Sequence, residues 1–401
     1  MVYIENIITG LIVFPFIAAL LTFPYALYQY NRHGSVSKLR TLIIFSFILY
    51  MIIAFFMVSL PLPDPESTVG NRWQDHLNLI PFRQIWLYWR NREITLATIR
   101  EYLTSMSLWQ LLFNILLTVP FGIYLRYYFK QSLGRTILFS FLLSLFYEVS
   151  QFTALFGIYP GPYRLADVED LICNTLGGVL GYQIAYVFAM VLPSRDAIDA
   201  YCRAEGKKVT GMRRFWSVLF DYIFSEIVFL FLCGTAIVLW PHLEQNAVYQ
   251  QINAGSFFCA ASLLQVLLTN GSTLGHSICR MILVSEDGRI ASKGQLILRY
   301  LSLWMFTEFP LVLSGLHADG KAVFLPDVVL FALIVFSQFY YVWYAIAVVF
   351  GKGRKQMPHE KLSRTVYIAV PVPEESGQNS DSGDHKPDSE NNNSSAEIKK
   401  A

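Results

Sequence analysis

Acidic and amide side chains interrupt an otherwise apolar stretch in the first half of the chain. Glu148 and Gln151 lie three residues apart, and Asp167, Asp170 and Asn174 follow at spacings of three and four. These spacings place each group on one face of a helix. Neighbouring carboxylates can act as general acid and base or hold a divalent cation, and they equally serve structural pairing. Inside a bilayer, such side chains are the default candidates for a functional site.

Two predicted helices carry these groups, and the turn FGIYPGPYR joins them. Because the turn is short, we expect antiparallel neighbours whose polar faces meet. Gly177 and Gly181 form a GxxxG pair, and Gly178 widens the smooth strip, which favours close helix packing. Arg164 is the nearest cation along the chain. We expect it to pair with Glu148 or with the first aspartate of the second helix.

A structural role is the main alternative for part of this cluster. Asp167 could serve only as an N-cap, with Asp170 in the first turn, where free amides and the helix dipole favour acids. Glu148 is different, because it lies about eight residues below the outer helix end, which corresponds to roughly 12 Å. An acid at that depth needs a partner, a proton or water.

Composition indicates a membrane protein. Hydrophobic residues make up 54% of the 401 residues and charged residues only 15%, against about 25% charged in soluble domains. The net charge of +2 and the lack of basic tracts with aromatics argue against nucleic acid as a partner. The five cysteines lack CxxC spacing, and no HExxH or Gly-rich phosphate motif occurs, so we expect no metal and no cofactor.

Apolar runs long enough to cross the ~30 Å hydrocarbon core predict an all-α multi-pass membrane protein with nine transmembrane helices, five and then four. The predicted spans are 7–29, 41–60, 109–129, 136–156, 168–192, 215–240, 253–270, 297–315 and 328–350. Lys and Arg concentrate in alternate connections, so the positive-inside rule predicts an outer N-terminus and a cytoplasmic C-terminus in the cell membrane. The exception is 62–107, whose LNLIPFRQIWLYWR segment is typical of an interfacial position.

The same patterns divide the chain. The predicted parts are an extra first helix with its loop (1–40), a membrane domain (41–192), a basic cytoplasmic linker (193–212), a second membrane domain (213–370) and a disordered cytoplasmic tail (371–401). The tail is too polar to fold alone. In the second domain, VSEDGRIAS predicts a small cytoplasmic β-hairpin near 282–292, turning at Asp287–Gly288.

The first membrane domain resembles the VanZ-like family. The resemblance rests on LNLIPF (Leu77–Phe82), FNILLTVPFG (Phe113–Gly122), SLFYEVSQ (Ser144–Gln151) and RLADVEDLICNTLGGVLG (Arg164–Gly181), in the family's order. It places the family's polar signature on Asn78, Asn114, Glu148, Gln151, Arg164, Asp167, Asp170, Asn174 and Gly178. The resemblance implies a bacterial envelope protein related to one associated with lowered sensitivity to the glycopeptide teicoplanin.

The second membrane domain resembles the RDD family. Arg214 and Asp221 match its first Arg and Asp, and they lie seven residues apart, two helical turns on one face. Thr273–Gly275 matches its TLG element and Arg299 the Arg that opens its third helix. Its last Asp aligns with Glu360, a longer acid. The structural alternatives are that Arg214 only anchors the helix at the membrane surface and that Asp221 only forms a salt bridge at the helix end. Some RDD proteins are proposed to be cation/proton antiporters, which this resemblance permits.

Three acids lie inside apolar runs of the second domain and suggest an ion path: Asp221, Glu226 and Glu308. Carboxylates that face a bundle interior can carry protons or cations. Pro310 follows Glu308 closely, and a broken helix beside an acid is found at transporter ion sites.

Three function classes therefore stand side by side. The first, which we prefer, is a non-catalytic envelope protein that alters the cell surface, with membrane lipid and lipid-linked cell-wall components or the glycopeptide itself as partners. The second is a cation/proton transporter. The third is a membrane enzyme acting on a lipid-linked substrate, with Glu148, Asp167 and Asp170 as candidate acids or bases. The sequence leaves the oligomeric state open.

Overall fold

The chain is mostly helical in the computed structural model, which describes residues 2–90, 92–240, 253–318, 326–350 and 356–371. The helices are α1 (Val2–His33), α2 (Lys38–Ser59), α3 (Arg83–Trp89), α4 (Leu96–Leu103), α5 (Met106–Tyr127), α6 (Leu133–Phe152), α7 (Ala154–Gly157), α8 (Val168–Val191), α9 (Arg195–Glu205), α10 (Gly211–Leu239), α11 (Ala254–Leu268), α12 (Leu274–Ile278), α13 (Lys293–Thr307), α14 (Phe309–Ala318), α15 (Asp327–Phe350) and α16 (Pro358–Ser363). The strands are β1 (Leu77–Asn78), β2 (Ala166–Asp167), β3 (Met281–Ser285) and β4 (Thr365–Ala369).

Hydroxyl and amide side chains set the starts of the long helices. The hydroxyl of Ser132 accepts a hydrogen bond from the third amide of α6 and that of Thr210 one from α10, while the Asn253 side chain caps α11. Each cap satisfies one of the amides that a helix leaves without a partner at its first turn. The caps therefore fix where the apolar runs become helical.

Six helices in the described part of the chain are long and apolar enough to cross a membrane, which supports a membrane location. They are α1, α2, α5, α6, α8 and α10. The predicted count of nine is not confirmed. Two of the other three predicted spans coincide with elements that are shorter or interrupted: α11 has 15 residues, and Glu308 separates α13 from α14. The third coincides with α15, which has 24 residues.

Two small sheets join segments that are distant in sequence. β1 pairs with β2 in parallel, with Asn78 opposite Asp167. β3 pairs antiparallel with β4 over five residues, from Met281 opposite Ala369 to Ser285 opposite Thr365. The prediction of a hairpin near 282–292 named the wrong partner for β3, because the main pairing of β3 is with β4. The turn forms, with the Ser285 N–H donating to the Arg289 carbonyl at 2.9 Å, but its second arm reaches β3 only through one bridge at Ile290.

Helix α1 lies between two groups of helices, which we call the first bundle (α2, α5, α6 and α8) and the second bundle (α10 to α16). Towards the second bundle, the rings of Phe23 and Phe220 lie 5.1 Å apart, and Tyr30 shares a core cluster with Met281. Towards the first bundle, α1 packs along α2, and the buried Arg40 donates to Gln29 of α1 at 3.0 Å. The helix that lies outside both family resemblances thus contacts both bundles.

Two ends of the molecule differ in chemistry. The acidic end is where α6 ends and α8 begins; the basic end is where α1, α5 and α8 end and α2, α6 and α10 begin. The predicted linker 193–212 lies at the basic end and contains α9, where Lys130 and Asp196 form an ion pair of 2.6 Å. Residues 372–401 of the predicted tail lie outside the described residues.

Candidate functional site

Glu148 joins the end of α6 to the start of α8. One of its carboxylate oxygens, Oε2, accepts a hydrogen bond from the Asp167 N–H at 2.8 Å, and the side chain is 7% exposed. The two polar helix faces therefore meet, as their spacing predicts.

Asp167 makes three hydrogen bonds and holds three segments together. Its backbone is extended and its Oδ1 accepts from the Glu169 N–H at 2.9 Å, so it caps α8. Its Oδ2 accepts from the side-chain amide of Asn78 at 2.9 Å, and the β1–β2 pairing brings that amide into reach. Asp167 is therefore an N-cap, but this role uses only one of its carboxylate oxygens, and the other binds Asn78 in the segment between α2 and α5.

Asp170 lies in the first turn of α8 and accepts a short hydrogen bond from the side-chain amide of Asn114 in α5. Below it, Asn174 donates to the Ser144 hydroxyl at 2.9 Å, and that hydroxyl donates to the backbone carbonyl of Asp170 at 3.2 Å. The side-chain oxygen of Asn174, Oδ1, is buried and has no hydrogen-bond partner within the described chain. Three helices, α5, α6 and α8, therefore contribute side chains to one polar layer.

Arg164 does not pair with an acid, and this expectation was wrong. Its guanidinium donates to the backbone carbonyls of Val58 at 2.5 Å and Leu60 at 2.6 Å, and it forms no ion pair among the described residues. Gln151 donates to the same Val58 carbonyl at 2.9 Å. The last carbonyls of a helix lack intrahelical partners and attract cations, so the C-terminal end of α2 binds both side chains.

Glycines on α8 let the polar layer form. A Cβ at Gly177 would overlap the Ile115 carbonyl oxygen of α5, and one at Gly178 would overlap the Ser140 hydroxyl of α6. The strip therefore packs against helices on two sides, as small residues do at close crossings.

Carboxylates outnumber cations in this cluster. Glu169, which the sequence analysis did not select, is buried at 5% exposure, and its Oε1 has no partner in the described part of the chain. With Glu148, Asp167 and Asp170 it makes four acids beside Arg164, whose donors are engaged by carbonyls. No group of three or more His, Cys, Asp or Glu among the described residues is placed to hold a metal ion. Carboxyl oxygens without a partner can accept hydrogen bonds, so the site can take N–H donors.

A second buried network lies in the second bundle around Glu360. Its Oε1 accepts from Arg299 at 3.1 Å and its Oε2 from Arg214 at 3.2 Å, and Arg299 also donates to the Thr365 hydroxyl at 2.7 Å. Both guanidinium groups lie over the ring of Tyr367 in β4. The longer acid at position 360 thus bridges two arginines, and β4 completes their surroundings.

Asp221 has different partners from Arg214, although both occupy α10. Its Oδ2 accepts from the Thr273 hydroxyl at 2.5 Å and its Oδ1 from the Gly275 N–H at 2.6 Å. The TLG element therefore folds onto this carboxylate at the start of α12. Arg214 and Asp221 therefore lie on the same helix but bind different groups, Glu360 and the TLG element respectively.

Arg213 is a buried residue that sequence reasoning missed. It is 1% exposed and donates to the carbonyls of Gly206 at 2.6 Å, Cys279 at 2.7 Å and Arg280 at 2.7 Å. It thereby ties the end of α9 to the second bundle. The Arg-Arg pair was visible in the sequence, but nothing in its spacing shows which of the two faces inward.

The remaining two acids of the predicted ion path lie deeper in the second bundle. Glu226 Oε2 is buried without a hydrogen-bond partner in the described residues. Glu308 stands at the break between α13 and α14, and its carboxylate lies against Gly255 of α11. The broken helix expected near Pro310 is present.

We expect acid to destabilise the second bundle through His276. Burial lowers the pKa of this histidine to about 3, and the positive charge of Arg299 adds to the effect. The Nδ1 atom of His276 accepts a hydrogen bond from the Thr273 N–H at 3.1 Å. An unfolded histidine titrates near ~6.5. Below that pH the unfolded chain binds a proton that the fold excludes, so stability falls progressively towards pH 3.

Unfolding midpoints of the purified full chain, measured between pH 7.5 and 4, test this. His276→Gln should reduce the change of the unfolding midpoint with pH. Part of that change should remain, because burial also lowers the pKa of His359. A slope unchanged by the substitution would show that His276 does not contribute.

These features define a multi-pass membrane protein with a polar cluster at a helix–turn–helix and a separate arginine–carboxylate network. Residues 47–189 match the VanZ/LLP1 family and residues 209–364 match the RDD family, which confirms both resemblances. Protein VanZ of Enterococcus faecium is similar to this chain, with 29% identity over 138 residues that cover 34% of this chain and 68% of that protein. No solved structure gives a significant match.

Proposed function

We propose that this protein lowers the sensitivity of a bacterial cell to teicoplanin-like glycopeptides by binding a lipid-linked cell-wall component at its acidic end. One observation carries the proposal. The four stretches that resemble the VanZ-like family meet in one hydrogen-bonded cluster, through Asn78, Asn114, Glu148, Asp167 and Asp170. Residues far apart in sequence converge there, which supports a shared task.

The chemistry of the cluster suggests what it binds. Its amide donors are engaged within the cluster, whereas its carboxylates outnumber its cations and retain capacity to accept. A partner that offers ammonium or amide N–H groups fits this set, as the peptide part of a cell-wall precursor does. Binding alone accounts for the effect, so the proposal assigns no bond cleavage.

The proposal includes an orientation. Lys and Arg gather at the basic end, and the positive-inside rule then puts that end in the cytoplasm and the acidic end outside. The N-terminus lies outside and the C-terminus in the cytoplasm if α11, α13 with α14, and α15 also cross, giving nine crossings. The outer position is where glycopeptides meet the cell-wall precursors.

The expected result of removing the acids is a loss of protection. Glu148→Gln and Asp170→Asn keep size and replace an acceptor oxygen with an amide nitrogen. A buried donor left without its acceptor costs about 1–3 kcal/mol, so binding should weaken about fivefold or more. Teicoplanin minimum inhibitory concentrations of cells that express each variant, at equal amounts of membrane protein, measure the loss.

Glu93→Gln is the matched control, since Glu93 is an exposed acid between α3 and α4 that takes no part in the hydrogen bonds joining the cluster. It should protect as the unaltered protein does. Gene deletion with unchanged teicoplanin sensitivity would end the proposal, and so would full protection by both carboxamide variants.

A second candidate function, movement of cations or protons through the second bundle, is favoured by the helix break at Glu308 and the unpartnered Glu226 oxygen. Everted vesicles should then show cation-linked proton flux that Glu226→Gln and Glu308→Gln reduce together. Asp221→Asn should act mainly through stability, because both carboxylate oxygens of Asp221 are engaged by the TLG element. Vesicles without flux would exclude this candidate.

A further inference from the structure

A large groove opens at the basic end, between the two bundles. Its walls come from α1, α2 and α9 and from the first turns of α10, and its volume is about 1280 Å³. Sites for drug-sized molecules measure roughly 300–1,000 Å³. The groove therefore has room for a larger occupant, and neither family resemblance assigns one.

The depth of the groove matches one leaflet of a bilayer. Along α2 the lining runs from Lys38 to Leu49, eleven residues further, which at 1.5 Å per residue is about 16 Å. The hydrocarbon core is ~30 Å thick, so this is about half of it. The deep walls are Phe14, Phe45 and Leu49. Apolar walls at this depth favour contact with hydrocarbon chains over contact with water.

The mouth of the groove is polar and carries positive charge. Lys38 is exposed and forms no ion pair among the described residues, whereas Lys208 pairs with Glu205 at 3.0 Å. These three charges leave a net charge of +1 in the lining. Lys38 is also the first residue of α2, where the helix dipole adds positive potential. Basic pockets between membrane helices bind anionic lipid headgroups.

We propose that this groove binds one anionic diacyl phospholipid from the leaflet at the basic end. The acyl chains lie against Phe45 and Leu49, and the phosphate group lies beside Lys38. Because both bundles form the walls, the bound lipid fills the space between them on that side. The site is separate from the acidic end and does not depend on the function proposed for it.

Native mass spectrometry of the purified full chain tests the proposal directly. The chain is incubated with phosphatidylglycerol or with phosphatidylethanolamine of the same acyl chains, and the retained lipid is counted. We expect preferential retention of phosphatidylglycerol. Lys38→Gln should weaken that binding about fivefold, and Leu49→Trp, which fills the apolar end, should reduce retention of both lipids.

Arg135→Gln is the matched control. Arg135 is also exposed in the first turn of a helix at the basic end, but it does not line the groove. Its loss should leave lipid retention unchanged. Equal retention of the two lipids would overturn the anionic preference, and equal losses for Lys38→Gln and Arg135→Gln would overturn the site. Lys38 and Arg135 are both exposed, so the unfolding midpoints of Lys38→Gln and Arg135→Gln should equal that of the unaltered protein. A difference in lipid retention between the two variants then reports on binding.

Discussion

Glu360→Gln lowers the free energy of unfolding of the second bundle by about 3–5 kcal/mol, the cost of removing one partner from a buried ion pair. Arg299 is 1% exposed and Glu360 3% exposed, so water cannot replace the lost carboxylate. The carboxylate also accepts from Arg214 and from the Met357 N–H at 2.9 Å, and an amide nitrogen there would face donors. The neutral side chain leaves two guanidinium groups without their counter-charge.

Unfolding midpoints of the detergent-solubilised full chain measure the loss. Asp287→Asn, the same chemical change at an exposed turn next to β3, is the control and should shift the midpoint little. Glu360→Asp should fall between the two, because the shorter acid cannot reach both arginines at once. A Glu360→Gln midpoint equal to that of Asp287→Asn would contradict the role assigned to this network.

Local spacing predicted the contact between the polar faces of α6 and α8. The periodicity of α6 and α8 and the short turn between them are enough to bring Glu148 to Asp167, and the structure places the two in hydrogen-bond contact. The same local rules gave the GxxxG packing and the N-cap of α8. The contact between Glu148 and Asp167 and the N-cap of α8 depend on residues within 19 positions of each other, where helix geometry leaves few alternatives. The glycine spacing predicts close packing, but it does not show that α5, about 60 positions away, is the partner of Gly177 and Gly181.

Contacts between distant segments could not be predicted in the same way. Arg164 binds carbonyls at the end of α2, more than 100 residues away, and backbone carbonyls carry no sequence signal. β3 pairs with a strand 80 residues downstream in place of its own hairpin arm, because the Arg299–Thr365 bond and the Tyr367 ring hold β4 there. The helix break at Glu308 was not placed by hydropathy for a related reason, since hydropathy averages over the residues on both sides of it.

The largest effect on the first bundle should come from a single methyl group at Gly181. A Cβ there would overlap the Val119 carbonyl oxygen and lie 3.1 Å from the Gly122 Cα, and both belong to backbone that cannot rotate away. Gly181→Ala must therefore push α5 and α8 apart. Overpacking of this kind costs about 1–3 kcal/mol, and at a backbone contact we expect the upper part of that range.

Gly234→Ala tests the explanation with the same substitution. Gly234 lies in α10 with no atom within 4 Å of the added Cβ, so alanine should stabilise that helix by up to about 1 kcal/mol. The two variants thus differ in sign for one physical reason, which midpoints of the full chain can show. Separation of α5 from α8 also moves Asn114 away from Asp170, so Gly181→Ala should lose teicoplanin protection without altering any polar side chain. A stable Gly181→Ala protein that still protects would show that the close crossing is not what holds the acidic cluster together.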